Sequence, residues 1–242
     1  MSELVRGEAE RGVATVTLDS PQNRNALSRT LLEQLGARLR EALDDEAMRV
    51  VVLSHSGSVF CYGADLRDPP GPGAPVSLPD VLNLLWTAPK PVVARVGGHA
   101  RAGGLGLVAA CDISVAARDA TFAFTEVRLG VVPAIISLVT TPRLGHTRAL
   151  ELYLTGHTFD GTRAAEIGLV TAVADDVDAA VAGYAEMLRG GAPGALAAAK
   201  RLVRAPLDFA EAERLSHEVF AGEEAREGLA AFAEKRAPAW AQ

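Results

Sequence analysis

Residues 92–112 read VVARVGGHARAGGLGLVAACD, and the succession of residue types within them decides the fold class. Val92 to Val96 is short and almost wholly apolar, as expected of a strand buried on both faces. Gly97-Gly98-His99-Ala100-Arg101-Ala102-Gly103-Gly104 follows, and Leu105 to Ala110 then reads as the start of an apolar helix. A buried strand, a glycine-rich turn and a helix form one step of an α/β layer. Small residues just before a helix leave several N–H groups free, and the helix dipole favours negative charge there. A developing enolate oxygen is such a charge. No GxGxxG spacing is present and no GK[ST] follows, so the phosphate-loop fingerprints are missing. Close helix–strand packing would call for the same glycines, and the stretch alone leaves both readings open.

The flanking sequence repeats the pattern. Upstream, Leu4 to Glu8 and Val13 to Leu18 read as a hairpin, and Ser28 as the cap of a helix carrying Leu31, Leu32, Leu35, Leu39 and Leu43 on one stripe. Val50 to Leu53 reads as a buried strand, and Asp68 to Pro79 as a Pro/Gly-rich surface loop. Downstream, Ile113 to Ala116 and Thr121 to Ala123 read as short strands. After Pro133 the spacing is mainly helical, at Ala149–Leu154, Arg163–Glu166, Ala179–Leu188, Ala195–Val203 and Phe209–Phe220, with one late strand at Val170–Val173. The expectation is an α/β core over residues 1–142 and a mainly helical region over 143–242.

Composition narrows the function classes. The 242 residues are 49% hydrophobic and 22% charged, an ordinary globular balance. The net charge of −6 offers no broad basic surface for nucleic acid or anionic lipid. An anionic ligand would have to be held by local arginines and backbone N–H groups. Cys61 and Cys111 lie in apolar stretches without CxxC spacing and read as free buried thiols. His55, His146, His157 and His217 show no ligand spacing, so no metal is expected, and His99 and Arg101, beside the glycine-rich turn, read as solvent-facing or packing residues. Residues 1–11 lack the apolar core of a leader, and Leu105–Ala117, broken by Asp112, is too short to span a bilayer. A cytoplasmic location is expected.

Two further stretches carry chemistry. In Val59-Phe60-Cys61-Tyr62-Gly63-Ala64-Asp65-Leu66, Gly63 can turn the chain so that the Ala64 N–H points into open space. The same residues also read as a plain strand-to-helix turn capped by Asp65. In Phe122-Ala123-Phe124-Thr125-Glu126-Val127-Arg128-Leu129-Gly130-Val131-Val132-Pro133, Glu126 sits among aromatic and aliphatic neighbours. Burial there would raise its pKa and suit it to proton transfer. A salt bridge to Arg128 is the alternative.

Taken in order, these motifs resemble the crotonase superfamily, the enoyl-CoA hydratase/isomerase family. The resemblance runs from Asn25-Ala26-Leu27-Ser28 through Phe60–Asp65, Ala102-Gly103-Gly104, Cys111-Asp112, Glu126, Leu129-Gly130 and Pro133. It continues to Leu154-Thr155-Gly156, Gly168-Leu169-Val170 and Glu227-Gly228 to Lys235-Arg236. It implies an α/β fold, a spiral of ββα turns with a C-terminal helical region that helps form homotrimers, often paired into hexamers. It implies an acyl-CoA or enoyl-CoA thioester as ligand, with no separate cofactor. By it, the Ala64 and Gly103 N–H groups form an oxyanion hole and Glu126 is the acid–base. Arg24, Ala64, Asp65, Leu66, Arg67, Gly103 and Gly104 bind the substrate, with Arg24 meeting a CoA phosphate.

The departures are specific. Hydratases of this superfamily carry two glutamates, and the first falls here on Gly106, which moves no proton. The glycine-rich turn after the proline is replaced by Ala134-Ile135-Ile136-Ser137. This combination, with the ending Glu227 to Trp240, resembles a bacterial branch that includes methylglutaconyl-CoA-type hydratases. Water addition to an enoyl-CoA is therefore expected, with double-bond isomerisation by Glu126 alone and non-catalytic acyl-CoA binding as the alternatives.

Overall fold

The computed structural model describes residues 2–68 and 73–241. Its ten strands and nine α-helices over those residues follow from the sequence periodicities, with informative exceptions. Strand β1 (Val5–Glu10) and β2 (Val13–Leu18) form the expected antiparallel hairpin. Helix α1 (Arg29–Asp44) buries Leu31, Leu32, Leu35, Leu39 and Leu43, and the Ser28 hydroxyl accepts from the Leu31 N–H at 3.3 Å. This is the expected stripe and cap.

Strand β3 (Val50–His55) is buried throughout and pairs in parallel with β2 and with β5 (Val92–Val96). With β7 (Ile113–Ala117) and β10 (Ala172–Ala174) these complete a six-stranded sheet ordered β1-β2-β3-β5-β7-β10. A second sheet is ordered β4-β6-β8-β9, from β4 (Val59–Cys61), β6 (His99–Arg101), β8 (Thr121–Ala123) and β9 (Phe159–Asp160). Strands β4, β6 and β8 run parallel; β9 closes the edge antiparallel.

Helix α2 (Leu78–Thr87) corrects the loop expected up to Pro79, of which residues 69–72 lie outside the described residues. Ser77 and Asp80 form a reciprocal capping box, and Pro79 sits in the first turn, where a missing N–H does no harm. Helix α3 (Gly103–Ala110) is buried along its whole length. It packs against α2 and against α4 (Ala134–Thr155), which kinks at Gly145.

The division expected at residue 142 falls inside α4. Beyond it the chain keeps feeding both sheets: α5 (Gly161–Glu166) links β9 to β10, and α6 (Val177–Arg189) packs on β5 and β7. Only α7 (Pro193–Arg204), α8 (Phe209–Ala221) and α9 (Glu223–Glu234) stand apart from the core, and Ala231 is their single buried residue. Among the described residues no helix is long and apolar enough to cross a membrane.

Candidate active site

Three parallel neighbours, β4, β6 and β8, end at the same side of the second sheet. Cys61 pairs with Ala100, and Arg101 with Ala123. Ala64, Gly103 and Glu126 each follow two or three residues after such a strand end. Adjacent strands lie about 4.8 Å apart, so three segments distant in sequence converge at one sheet end. In α/β layers that end is where strands deliver ligand-facing loops.

Ala64 is held with its N–H turned outward. The Leu27 N–H donates to the Gly63 carbonyl at 2.8 Å, and the Asp65 N–H donates to the Leu27 carbonyl at 3.2 Å. Since successive backbone groups alternate, the Ala64 N–H faces away from Leu27, and no backbone acceptor takes it among the described residues. Gly63 has φ +86°, and a Cβ there would lie 2.9 Å from Ala102 Cβ and 3.4 Å from the Gly103 nitrogen. The two turns are therefore in direct contact. Ala102 itself sits at φ 47°, ψ −118°, outside the ordinary regions for a residue with a side chain. Such a conformation costs about 1–3 kcal/mol and persists where surrounding contacts impose it. Its effect is to start α3 at Gly103, whose N–H likewise has no backbone acceptor among the described residues.

Glu126 begins a short 3₁₀ turn, Glu126–Leu129, after β8. It is half-buried, and its Oε2 is buried without a hydrogen-bond partner among the described residues. Desolvation pushes its pKa above the ordinary glutamate value of 4.5. The alternative pairing with Arg128 is not formed: the Arg128 guanidinium donates to the Thr155 carbonyl at 3.3 Å.

The other sequence candidates divide. Arg24 stacks over the Tyr62 ring at 4.1 Å, at the edge of the Ala64 turn, and Leu66 and Arg67 are exposed just beyond. Tyr62 is thus a platform for Arg24. The Asp65 carboxylate is committed internally: it accepts from Asn23 Nδ2 at 2.7 Å and from the Arg67 N–H at 3.0 Å. Those bonds hold its pKa below the usual carboxylate range. Gly104 serves packing, since a Cβ there would lie 2.5 Å from the Cys61 carbonyl oxygen. His99 and Arg101 are occupied by Thr121, at 3.0 Å from its hydroxyl to Nδ1 and 2.8 Å from a guanidinium nitrogen.

Gly106 has a precise steric reason. A Cβ there would lie 2.5 Å from Ile136 Cγ2, 3.1 Å from Ile136 Cβ and 3.4 Å from Leu82 Cδ1. Ile136 therefore occupies the direction that a longer side chain at 106 would take. Sequence reasoning also missed Asn25. It is fully buried, accepts from the Ser20 N–H at 2.7 Å, and donates to the Val59 and Ser56 carbonyls at 2.7 and 3.1 Å. It fixes the segment that orients Ala64, and it sits at a left-handed φ of 49°, a region that Asn tolerates. Burial pushes the free Cys61 and Cys111 thiols up to about 12, which leaves them inert. Among the described residues no three His, Cys, Asp or Glu side chains gather as a metal site would require.

A family model for enoyl-CoA hydratase/isomerase matches residues 8–242. A probable enoyl-CoA hydratase of Rhizobium meliloti is 34% identical over 97% of this chain and 96% of its own length. A putative enoyl-CoA hydratase of Thermus thermophilus is 38% identical, over 62% of this chain and 63% of the relative. Among solved structures, Pseudomonas aeruginosa AtuE superposes with a TM-score of 0.90 at 36% identity, covering 99% of this chain and all of that one.

Proposed function

The chain belongs to the enoyl-CoA hydratase/isomerase family of the crotonase superfamily, and from that premise we propose that it adds water across the double bond of an enoyl-CoA thioester. The thioester oxygen lies between the Ala64 and Gly103 N–H groups. Both donors are preorganised by the backbone, and they act most strongly on the negative charge that appears only as the enolate forms. Arg24 meets a phosphate of CoA, and Leu66 and Arg67 flank the same ligand.

Glu126 moves the proton. Its carboxylate takes a proton from water as the oxygen bonds to Cβ, the electron pair of the double bond shifts to give the enolate, and the carboxylic acid returns the proton to Cα. One carboxylate suffices because it is base in the first half and acid in the second. The observation that carries this reading is the desolvated Glu126, its Oε2 without a hydrogen-bond partner among the described residues, at the sheet end shared with both donor turns. A raised pKa brings such a group closer to the range where both roles are efficient.

Isomerisation is the second reading, favoured by Ile136 against Gly106. That side chain leaves an apolar wall where a second carboxylate would stand, and shifting a double bond needs only one. Glu126 would remove a proton from Cα of a 3-enoyl ester and return it to Cγ. The two readings separate by absorbance of the conjugated thioester. Hydration of a 2-enoyl-CoA removes the band, and isomerisation of a 3-enoyl-CoA creates it. Loss of the band with 2-enoyl esters is expected. A band that appears from 3-enoyl esters without loss from 2-enoyl esters would move isomerisation first, and tight binding with neither change would leave an acyl-CoA carrier.

A further inference from the structure

Tyr62 fixes Arg24 twice over. Its N–H donates to the Arg24 carbonyl at 3.1 Å, and its ring carries the Arg24 guanidinium at 4.1 Å. The backbone of Arg24 takes a left-handed φ of 53°, uncommon for a residue with a long side chain, so the tie has a conformation to enforce. A second guanidinium, that of Arg101, lies 5.9 Å from the same ring. Arg101 is itself held fast. It donates to the Ala100 and Thr121 carbonyls at 2.8 and 2.5 Å and to the Thr121 hydroxyl at 2.8 Å. The ring therefore stands between a locked cation on β6 and an exposed one beside the Ala64 turn.

The charges at this ring are unspent. Among the described residues no carboxylate pairs with Arg24 or Arg101. Asp65, in the adjoining turn, is taken by Asn23 and by Arg67, whose Nε lies 3.6 Å from it. In a chain of net charge −6, two such cations at one ring make a local positive site. What holds Arg24 matters as much as its charge. A carboxylate partner would consume the N–H groups of the guanidinium and cancel its charge. An aromatic face grips the flat of the guanidinium and leaves the N–H edge free for an anion.

Resting on the reading of Arg24 as the contact for a CoA phosphate, we infer that Tyr62 is a positioning residue for that contact. It presents Arg24 to the phosphate in one orientation with its charge intact. It takes no part in proton transfer. Its effect is confined to ligands that bring a phosphate to Arg24.

The test measures affinity for hexanoyl-CoA and for S-hexanoyl-pantetheine, which lacks the phosphates, by calorimetry. Tyr62 is 41% exposed, so substitutions there leave the core untouched. Tyr62→Leu should weaken hexanoyl-CoA binding about three- to five-fold, the range of an exposed cation–π contact. It should leave hexanoyl-pantetheine binding unchanged and kcat for 2-hexenoyl-CoA within two-fold. Tyr62→Phe, which keeps the aromatic face, should bind both ligands as wild type does. In an Arg24→Met background the effect of Tyr62→Leu should vanish, as expected if the ring acts through Arg24. Equal weakening of both ligands by Tyr62→Leu, or an undiminished effect in the Arg24→Met background, overturns the inference. Arg24→Met alone without effect on hexanoyl-CoA overturns the phosphate reading itself, and the inference with it.

Discussion

Removing a carboxylate from water without giving it a partner destabilises a fold, and Glu126 Oε2 is the buried carboxylate oxygen in that position among the described residues. The sign of the effect is fixed by the direction of its pKa. A glutamate raised above 4.5 in the fold binds its proton more tightly there than in the unfolded chain. Its penalty is therefore absent below the unfolded value, grows as pH rises through the folded value, and is complete above it. Glu126→Gln removes the ionisable group while keeping its shape, so its melting temperature should exceed that of wild type at pH 8 and match it near pH 4. Equal melting temperatures at both pH values would contradict the burial assigned here. The same residue was legible in the sequence because Phe122, Phe124, Val127 and Leu129 surround it within a few positions. Asn25 was not, because its meaning lies in Ser20, Ser56 and Val59, and the carbonyls it reaches are more than thirty residues away. Asp65 was read as a ligand contact for a similar reason: its partner Asn23 is brought to it only by the fold.

At the scale of elements, periodicity delivered the buried strands and the α1 stripe but left α2 unassigned, with Leu78 and Pro79 of that helix inside the expected loop. Its Ser77–Asp80 capping box was present in the sequence, but proline at 79 and the Pro/Gly-rich residues before it pointed the other way. The packing of α3 on α4 shows what no local pattern reveals. Gly106 and Ile136 are thirty positions apart, yet each explains the other, since the small residue makes room for the large one. Installing a carboxylate by Gly106→Glu alone, attractive from the sequence, therefore drives a side chain into Ile136. Even Gly106→Ala should lower stability by about 1–3 kcal/mol, the usual consequence of overpacking. Pairing it with Ile136→Ala, which removes the Cγ2 methyl that the new Cβ would meet, should give a double variant less destabilised than the sum of the two single changes, as expected for side chains in contact. Thermal or urea unfolding of the single and double variants measures this, and strict additivity of the two changes would contradict the contact.

At the scale of the whole molecule, the α/β core and its helical C-terminal region were legible as a class, while the point where they part was not. Strand β9 is too short to announce itself, β10 (Ala172–Ala174) lies slightly beyond the late strand expected at Val170–Val173, and both return to sheets begun far earlier. What remains outside the core is held by charge. Asp112 accepts from Lys200 and Arg204 at 2.8 Å each, which fastens α7 to the end of α3. Beyond that anchor, Phe209, Phe220 and Phe232 are 96%, 69% and 85% exposed. Apolar groups of that size on consecutive helices mark a surface that pairs with another, and we propose copies of this chain in a closed homotrimer, alone or doubled into a hexamer. Light scattering at micromolar concentration should give three or six chains; a monomer would contradict it.

The central claim is that one carboxylate performs the proton transfers beside a thioester carbonyl held by two backbone donors. Turnover and ligand affinity of Glu126→Gln, measured side by side, test it most directly. We expect turnover of the preferred enoyl-CoA to fall at least about a hundred-fold while affinity for the saturated acyl-CoA stays within a few-fold, because the Ala64 and Gly103 donors remain in place. A folded Glu126→Gln protein that keeps near-normal turnover would contradict it.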